Sequence, residues 1–382
     1  MEPRSSKLRP RWTSDPYLWC AAGGLFTFFV VWFYLTGYMA ADVYISDIPV
    51  YWQNSQELTA PYDVYHPPGY GIVLASARLL TFGLLPPLAV MVATAAFFYL
   101  AGAWVVVACA RLRATPTAAG VSGLLFLLWP MVGVTYVVYP VADSLAMFLV
   151  AACVWLLLHR RFGWAWLVSS MLMITHKGTW PFVGLLILCA LVRHRRELGA
   201  RVAWVVLVPV PILTVWALGA RHYGSAAWMF SNSVTADLLP RGPVPVLDGL
   251  FGTVLSGTTA GVIKGLTAWG ILVLCGVLLV YAWRDWRSAI AWYGLALVGG
   301  VLFLLAVLNQ NTIWAAVRFS KILAIPAAWF LGDLLPFAGR PRARGLAVGA
   351  VLLALLATQL AFAWYFATHF APHFETPFGE AR

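Results

Sequence analysis

Residues 69–85 read GYGIVLASARLLTFGLL. The stretch is apolar enough to enter a bilayer, and whether it crosses one sets the topology of everything after it. Its flanks decide the matter. Upstream lies a polar segment with Asp42, Asp47, Glu57 and Asp63; downstream, beyond a second apolar run, come Arg111 and Arg113. Short cytoplasmic loops collect Lys and Arg. If residues 69–85 spanned, the cations at 111–113 and 160–161 would fall outside. Read as an interfacial or re-entrant helix, the stretch lets every cationic cluster share one side.

The rest of the chain follows that choice. Of 382 residues, 62% are hydrophobic and 10% charged, against about 25% charged in soluble domains. The mean hydropathy is +0.82. These values exclude a soluble enzyme, a disordered chain and a nucleic-acid-binding module. The net charge of +11 comes mostly from short clusters between apolar runs, at 4–11, 111–113, 160–161, 193–201, 284–287 and 340–344. They mark loops rather than a nucleic-acid stripe.

The expected fold is all-α: one transmembrane helical bundle over residues 1–382. About 11 spans are expected, at 17–39, 86–110, 116–137, 141–158, 162–175, 178–192, 201–219, 266–283, 289–308, 320–336 and 346–367. The first is too long for a signal-peptide core and lacks a clear cleavage site, so it is expected to stay as a helix. This multi-pass arrangement implies a cell membrane location, with the N-terminus cytoplasmic. It leaves two outer segments, 40–85 and 220–265. Spans 162–175 and 178–192 are short and imply local thinning or burial against neighbours. The five cysteines fall inside apolar runs and read as small buried hydrophobes.

Most acids fall on the outer side, and few sit in mid-span. A proton- or ion-coupled transporter would place ionisable groups near the bilayer midplane. Here the polar chemistry gathers at the outer rim. The first outer segment is rich in Tyr, Trp and carboxylates, and Pro67-Pro68-Gly69 breaks any helix before the decisive stretch.

Three short motifs carry a resemblance. A carboxylate soon after the first span and a YxPP-type turn give the string SDIPVYWQNSQ…PYDVYHPPGYG. His176-Lys177-Gly178 forms a basic turn between two middle spans. Val317-Arg318-Phe319 through Pro326 opens a late span. Together they resemble the GT-C superfamily of integral-membrane glycosyltransferases, most of all the family 87 group that uses polyprenyl-phosphate sugars and includes bacterial mannosyltransferases. The resemblance implies transfer of a sugar such as mannose, with inversion, from a polyprenyl-phosphate donor. The acceptor hydroxyl, on a glycan, glycolipid or lipid, would be reached at the outer face.

The residue types suit that chemistry. An acceptor hydroxyl is a poor nucleophile and needs a base. A lipid-phosphate leaving group needs cationic donors. Asp47, in an Asp-x-x-x-Tyr setting, is the expected base, with Asp42 its competitor or partner. Arg318, Lys177, Lys321 and His176 are the donor-phosphate candidates; Arg318 and Lys321 stand three apart and share a helix face. His66, Tyr51 and Trp52 are candidates for binding substrate, Trp52 by stacking on a sugar ring. Asp143, just after Pro140, is read as a helix cap in preference to a ligand. No cofactor is expected. No His/Asp set has metal-ligand spacing, although an Asp42–Asp47 divalent site stays open. A lipid-linked glycan polymerase or ligase, and a flippase for a lipid-linked sugar, are the alternatives.

Overall fold

The structure is a computed structural model. It describes residues 15–38, 47–57, 67–129, 142–224, 259–307 and 317–331, with scattered positions between 349 and 361. Asp42, His66, most of the second outer segment, most of the last expected span and the cations at 340–344 lie outside the described residues.

Helices make up the ordered elements, and no strand occurs among the described residues. In chain order they are α1 (Pro16–Tyr38), α2 (Asp47–Gln56), α3 (Pro68–Leu80), α4 (Pro87–Ala110), α5 (Pro116–Leu128), α6 (Asp143–Leu158) and α7 (Phe162–Thr175). After a 3-10 turn at Lys177–Thr179 come α8 (Trp180–Arg193), α9 (Arg195–Leu198), a 3-10 segment at Gly199–Leu207 and α10 (Val210–Tyr223). Then follow α11 (Thr259–Arg284), α12 (Ala289–Val307), a 3-10 turn at Ser320–Leu323 and α13 (Ala324–Leu331).

Proline sets several starts. It stands in the first turn of α3, α4, α5, α8 and α10, where the missing N–H has no helical acceptor to lose. Thr115 adds a side-chain cap to α5, accepting from the Ala118 amide at 3.3 Å. Among the described residues, three helical runs are long and apolar enough to cross a membrane: Pro87–Ala110, Arg195–His222 and Gly265–Arg284. Several other apolar helices are shorter, among them Pro116–Leu128, Asp143–Leu158 and Phe162–Thr175.

The decisive stretch forms α3. Its 13 residues rise about 20 Å at 1.5 Å each, short of the roughly 30 Å hydrocarbon core. The helix ends in a turn at Thr81, Phe82 and Gly83, with Leu79, Leu80, Phe82 and Leu84 exposed.

Three boundaries differ clearly from expectation, the first at 116–137, where the helix ends at Leu128 because Trp129 is extended. The run expected at 201–219 starts earlier, as a 3-10 segment leading into α10. Pro209 and Pro211 lack the N–H groups that an α-helix would donate to Val205 and Leu207, and the Val208 amide bonds the Val205 carbonyl instead, at 3.0 Å. Helix α11 likewise begins at Thr259, inside the second outer segment.

Packing is close where side chains are small, as in membrane bundles. Gly120 and Gly123 of α5 lie under Trp19 and Cys20 of α1. Helix α6 lies between α4 and α7, α8 packs on α12, and α13 touches α4, α5, α11 and α12.

The cationic loops gather at one end of this bundle. Arg113 pairs with Asp285, the Arg193 guanidinium donates to the Arg287 carbonyl, and Arg160 pairs with Glu197 at 3.3 Å. Asp285 loses some water on burial, which favours its neutral form. Hydrogen bonds from Arg113 and Ser288, with the Arg113 charge, outweigh that and hold its carboxyl below the usual range.

Candidate functional site

The opposite end of the bundle carries a buried ionic cluster. Helix α6 starts there with Asp143, whose side chain is 1% exposed. Helix α7 runs antiparallel to α6 and returns the chain to His176 at the same end. Arg318, far along the sequence, comes to meet them. Its Nη1 lies 2.8 Å from Asp143 Oδ2, with the Arg318 side chain 18% exposed. His176 Nε2 lies 3.6 Å from Asp143 Oδ1, an electrostatic contact too long for a hydrogen bond.

The local backbone sets the His176 ring. The Gly178 amide donates to His176 Nδ1 at 3.0 Å, so a neutral ring carries its proton on Nε2, facing the carboxylate. The Phe319 ring lies edge-on to His176, 4.9 Å between centroids. Gly178 makes the room: a Cβ there would meet the Phe319 ring at 2.5 Å. Lys177, half-buried, opens the 3-10 turn beside them.

Lys321 takes a different position. It is fully buried and donates to the Tyr99 hydroxyl at 2.8 Å, with the Tyr99 and Phe126 rings at 4.3 and 5.7 Å from its ammonium. It lies within electrostatic reach of both Asp143 and Arg318. Tyr99 also borders an apolar cavity of about 140 Å³ between α1, α4 and α5, lined by Gly24, Phe28, Leu100 and Leu127 among others. The same tyrosine therefore joins an apolar wall to the cationic cluster.

Helices α2 and α3 are fixed to this end. A Cβ on Gly69 would lie 2.7 Å from the Ile174 carbonyl oxygen and 2.7 Å from Thr175 Oγ1, and one on Gly71 would lie 3.1 Å from the Asn54 backbone. The start of α3 therefore seats on the end of α7, and α2 packs on α3. Tyr70 of α3 is fully buried within reach of the Asp143 charge. The Tyr51 ring packs edge-on against it at 5.2 Å.

Of the sequence candidates, Arg318, His176, Lys177 and Lys321 thus belong to one end of the bundle. Asp47 is the first residue of α2, which packs on α3. Tyr51 and Trp52 are both buried on α2; Trp52 presents little ring surface to a sugar in this conformation. Asp42 and His66 lie outside the described residues. Asp143 requires a correction. Ala142 holds the cap position of α6 and no side-chain cap bond forms there; the Asp143 carboxylate turns to Arg318 and His176 instead. Sequence reasoning also passed over Tyr99 and Tyr70. A tyrosine amid aliphatic residues carries no sign in sequence that its hydroxyl will meet a lysine more than two hundred residues away.

Among the described residues, no three His, Cys, Asp or Glu side chains gather as a metal set. No family model matches the chain, and no curated protein matches it.

Proposed function

We propose that this chain is a GT-C-like membrane glycosyltransferase. It moves a sugar from a polyprenyl-phosphate donor to an acceptor hydroxyl at the extracytoplasmic face, with inversion. The observation that carries the reading is convergence. Arg318 and the His176-Lys177 turn, distant in sequence, meet at the bundle end opposite the arginine loops. Cations used only as topology signals would have no reason to collect there.

Each residue then has a task. Arg318 and Lys177 hold the donor phosphate and stabilise it as it leaves, because a guanidinium offers five donors in a fixed fork. Asp143 fixes the Arg318 fork, and His176 Nε2–H faces the same carboxylate. Lys321 lies beneath, within electrostatic reach of Asp143 and Arg318, and Lys177 opens the adjoining turn, so basic groups outnumber the buried carboxylate here and the balance suits a phosphate. Asp47, at the head of α2, takes the proton of the acceptor hydroxyl as it attacks the anomeric carbon and the sugar–phosphate bond breaks. Asp143, already held at 2.8 Å by Arg318, is committed to that pair and serves as a positioning residue. The apolar cavity beside Tyr99 offers a wall for the first part of the prenyl chain.

The test is transfer of labelled sugar from a polyprenyl-phosphate donor by the purified chain. Asp47→Ala should lower the rate by about 10²–10⁴-fold, the usual worth of general base catalysis, without loss of folding. Arg318→Ala should chiefly raise the donor concentration needed. Wild-type transfer by Asp47→Ala would refute the assignment of the base. Sugar moving across a bilayer with no bond formed would refute the enzyme.

A further inference from the structure

The 3-10 segment Gly199–Leu207 has nine residues, none of them buried. Runs beyond about 3–4 residues are uncommon in this conformation. Side chains at i and i+3 eclipse in a 3-10 helix, so Arg201, Trp204 and Leu207 stand in one row. Trp204 and Leu207 line a cavity of about 400 Å³, and its facing wall is α7, through Gly163, Trp166, Leu167 and Ser170. Helix α7 repeats the order of the opposite row: Arg161 at its start, then a tryptophan, then aliphatic surface. Both walls therefore run from arginine to tryptophan to hydrocarbon, leading away from the cationic end.

The walls are built together. Trp166 Nε1 donates to the Arg201 carbonyl at 3.3 Å. Gly163 leaves the Trp204 ring at ordinary contact distance, 3.5 Å from where a Cβ would sit. The Ser170 hydroxyl donates to the Trp166 carbonyl at 3.0 Å, which removes the donor from the cavity floor. In the turn before the 3-10 segment, Glu197 is engaged by Arg160 and by His194, both at 3.3 Å. Burial lowers the proton affinity of His194, and the Glu197 charge opposes that only in part. Arg161, Arg195, Arg196 and Arg201, close in sequence to the starts of the two walls, are exposed.

We infer that this cavity binds an anionic glycerophospholipid, with one acyl chain between α7 and the 3-10 segment and the phosphate at Arg161 and Arg201. Its volume lies within the range of about 300–1,000 Å³ typical of ligand sites. Only 17% of the apolar window in the run Arg195–His222 is buried inside the protein, so this element presents most of its surface to lipid. Basic pockets between membrane helices attract anionic head groups, and tryptophans seat at the head-group level. A zwitterionic lipid offers the same phosphate but adds a quaternary ammonium, which the surrounding arginines repel. The site stands at the opposite end of α7 from Asp143 and His176, so it is separate from the donor cluster.

The full chain, reconstituted in bilayers of equal phosphatidylglycerol and phosphatidylcholine and then released for native mass spectrometry, tests this. Phosphatidylglycerol should stay bound in preference. Retention should fall about fivefold for each arginine removed, in Arg161→Ala and Arg201→Ala. Leu207→Trp, at an exposed position, should fill the cavity and expel the lipid with no change in melting temperature. Equal retention of both lipids by the wild-type chain, or retention unmoved by the arginine substitutions, overturns the proposal. So does a cross-linked dimer through Trp204→Cys in place of bound lipid, which would make this face a contact between copies.

Discussion

Asp143 is nearly inaccessible, yet it stands against a guanidinium at 2.8 Å and within reach of the fully buried Lys321. Removing one partner of a buried ionic pair strands the other, at a cost of about 3–5 kcal/mol. Asp143→Asn keeps the shape and removes the charge, so it should lower the stability of the purified chain by about that amount. Replacing both partners, in Asp143→Asn with Arg318→Gln, should recover part of the loss, because neither charge is then left alone. Thermal melting of the two single variants and the double measures the coupling. If Asp143→Asn melted like the wild type, the pair would be screened by water and Asp143 would have no positioning role.

At the scale of elements, the site depends on how α3 seats on the end of α7. Gly69 meets a backbone carbonyl, which cannot swing aside as a flexible side chain can. Gly69→Ala should therefore cost about 1–3 kcal/mol by overpacking and reduce transfer activity, because α2 rides on α3. Gly184→Ala, inside α8 where nothing lies within 4 Å of the new methyl, should leave activity unchanged and raise stability by up to about 1 kcal/mol, since Ala is the better helix former. Equal behaviour of the two variants would mean that α3 moves freely against α7. These elements were largely legible in the sequence. Prolines at 68, 87 and 116 and uninterrupted apolar runs fix helix starts with little help from tertiary contacts. The cluster was legible only in part. Arg318, Lys177 and His176 stood out as cations and a histidine in apolar surroundings, but their convergence on Asp143 did not. An acid in the first turn of a helix is ordinary, favoured by the helix dipole, so its spacing cannot separate a terminal charge from a buried counter-ion. The 3-10 segment before Pro209 was equally hidden, since the sequence there reads as a continuous apolar run.

For the whole molecule, the question raised by residues 69–85 becomes a matter of sidedness. Glu57 is exposed beyond α2, whereas Leu112 and Trp286 are exposed in the loops that Arg113 and Asp285 tie together. Between Glu57 and Leu112 the chain passes through α3 and then α4. If only α4 crosses, Glu57 and Leu112 lie on opposite faces of the membrane; if α3 crosses too, they share a face. The five native cysteines are all buried, so a membrane-impermeant maleimide should give little background on the wild-type chain. In intact cells Glu57→Cys should label, whereas Leu112→Cys and Trp286→Cys should label only after the membrane is opened. Labelling of Glu57→Cys and Leu112→Cys from the same side would make α3 a crossing element. The end that gathers Asp143, Arg318 and His176 could not then be assigned to the outer face from the arginine loops. Labelling of Leu112→Cys and Trp286→Cys from different sides would contradict the Arg113–Asp285 pair itself.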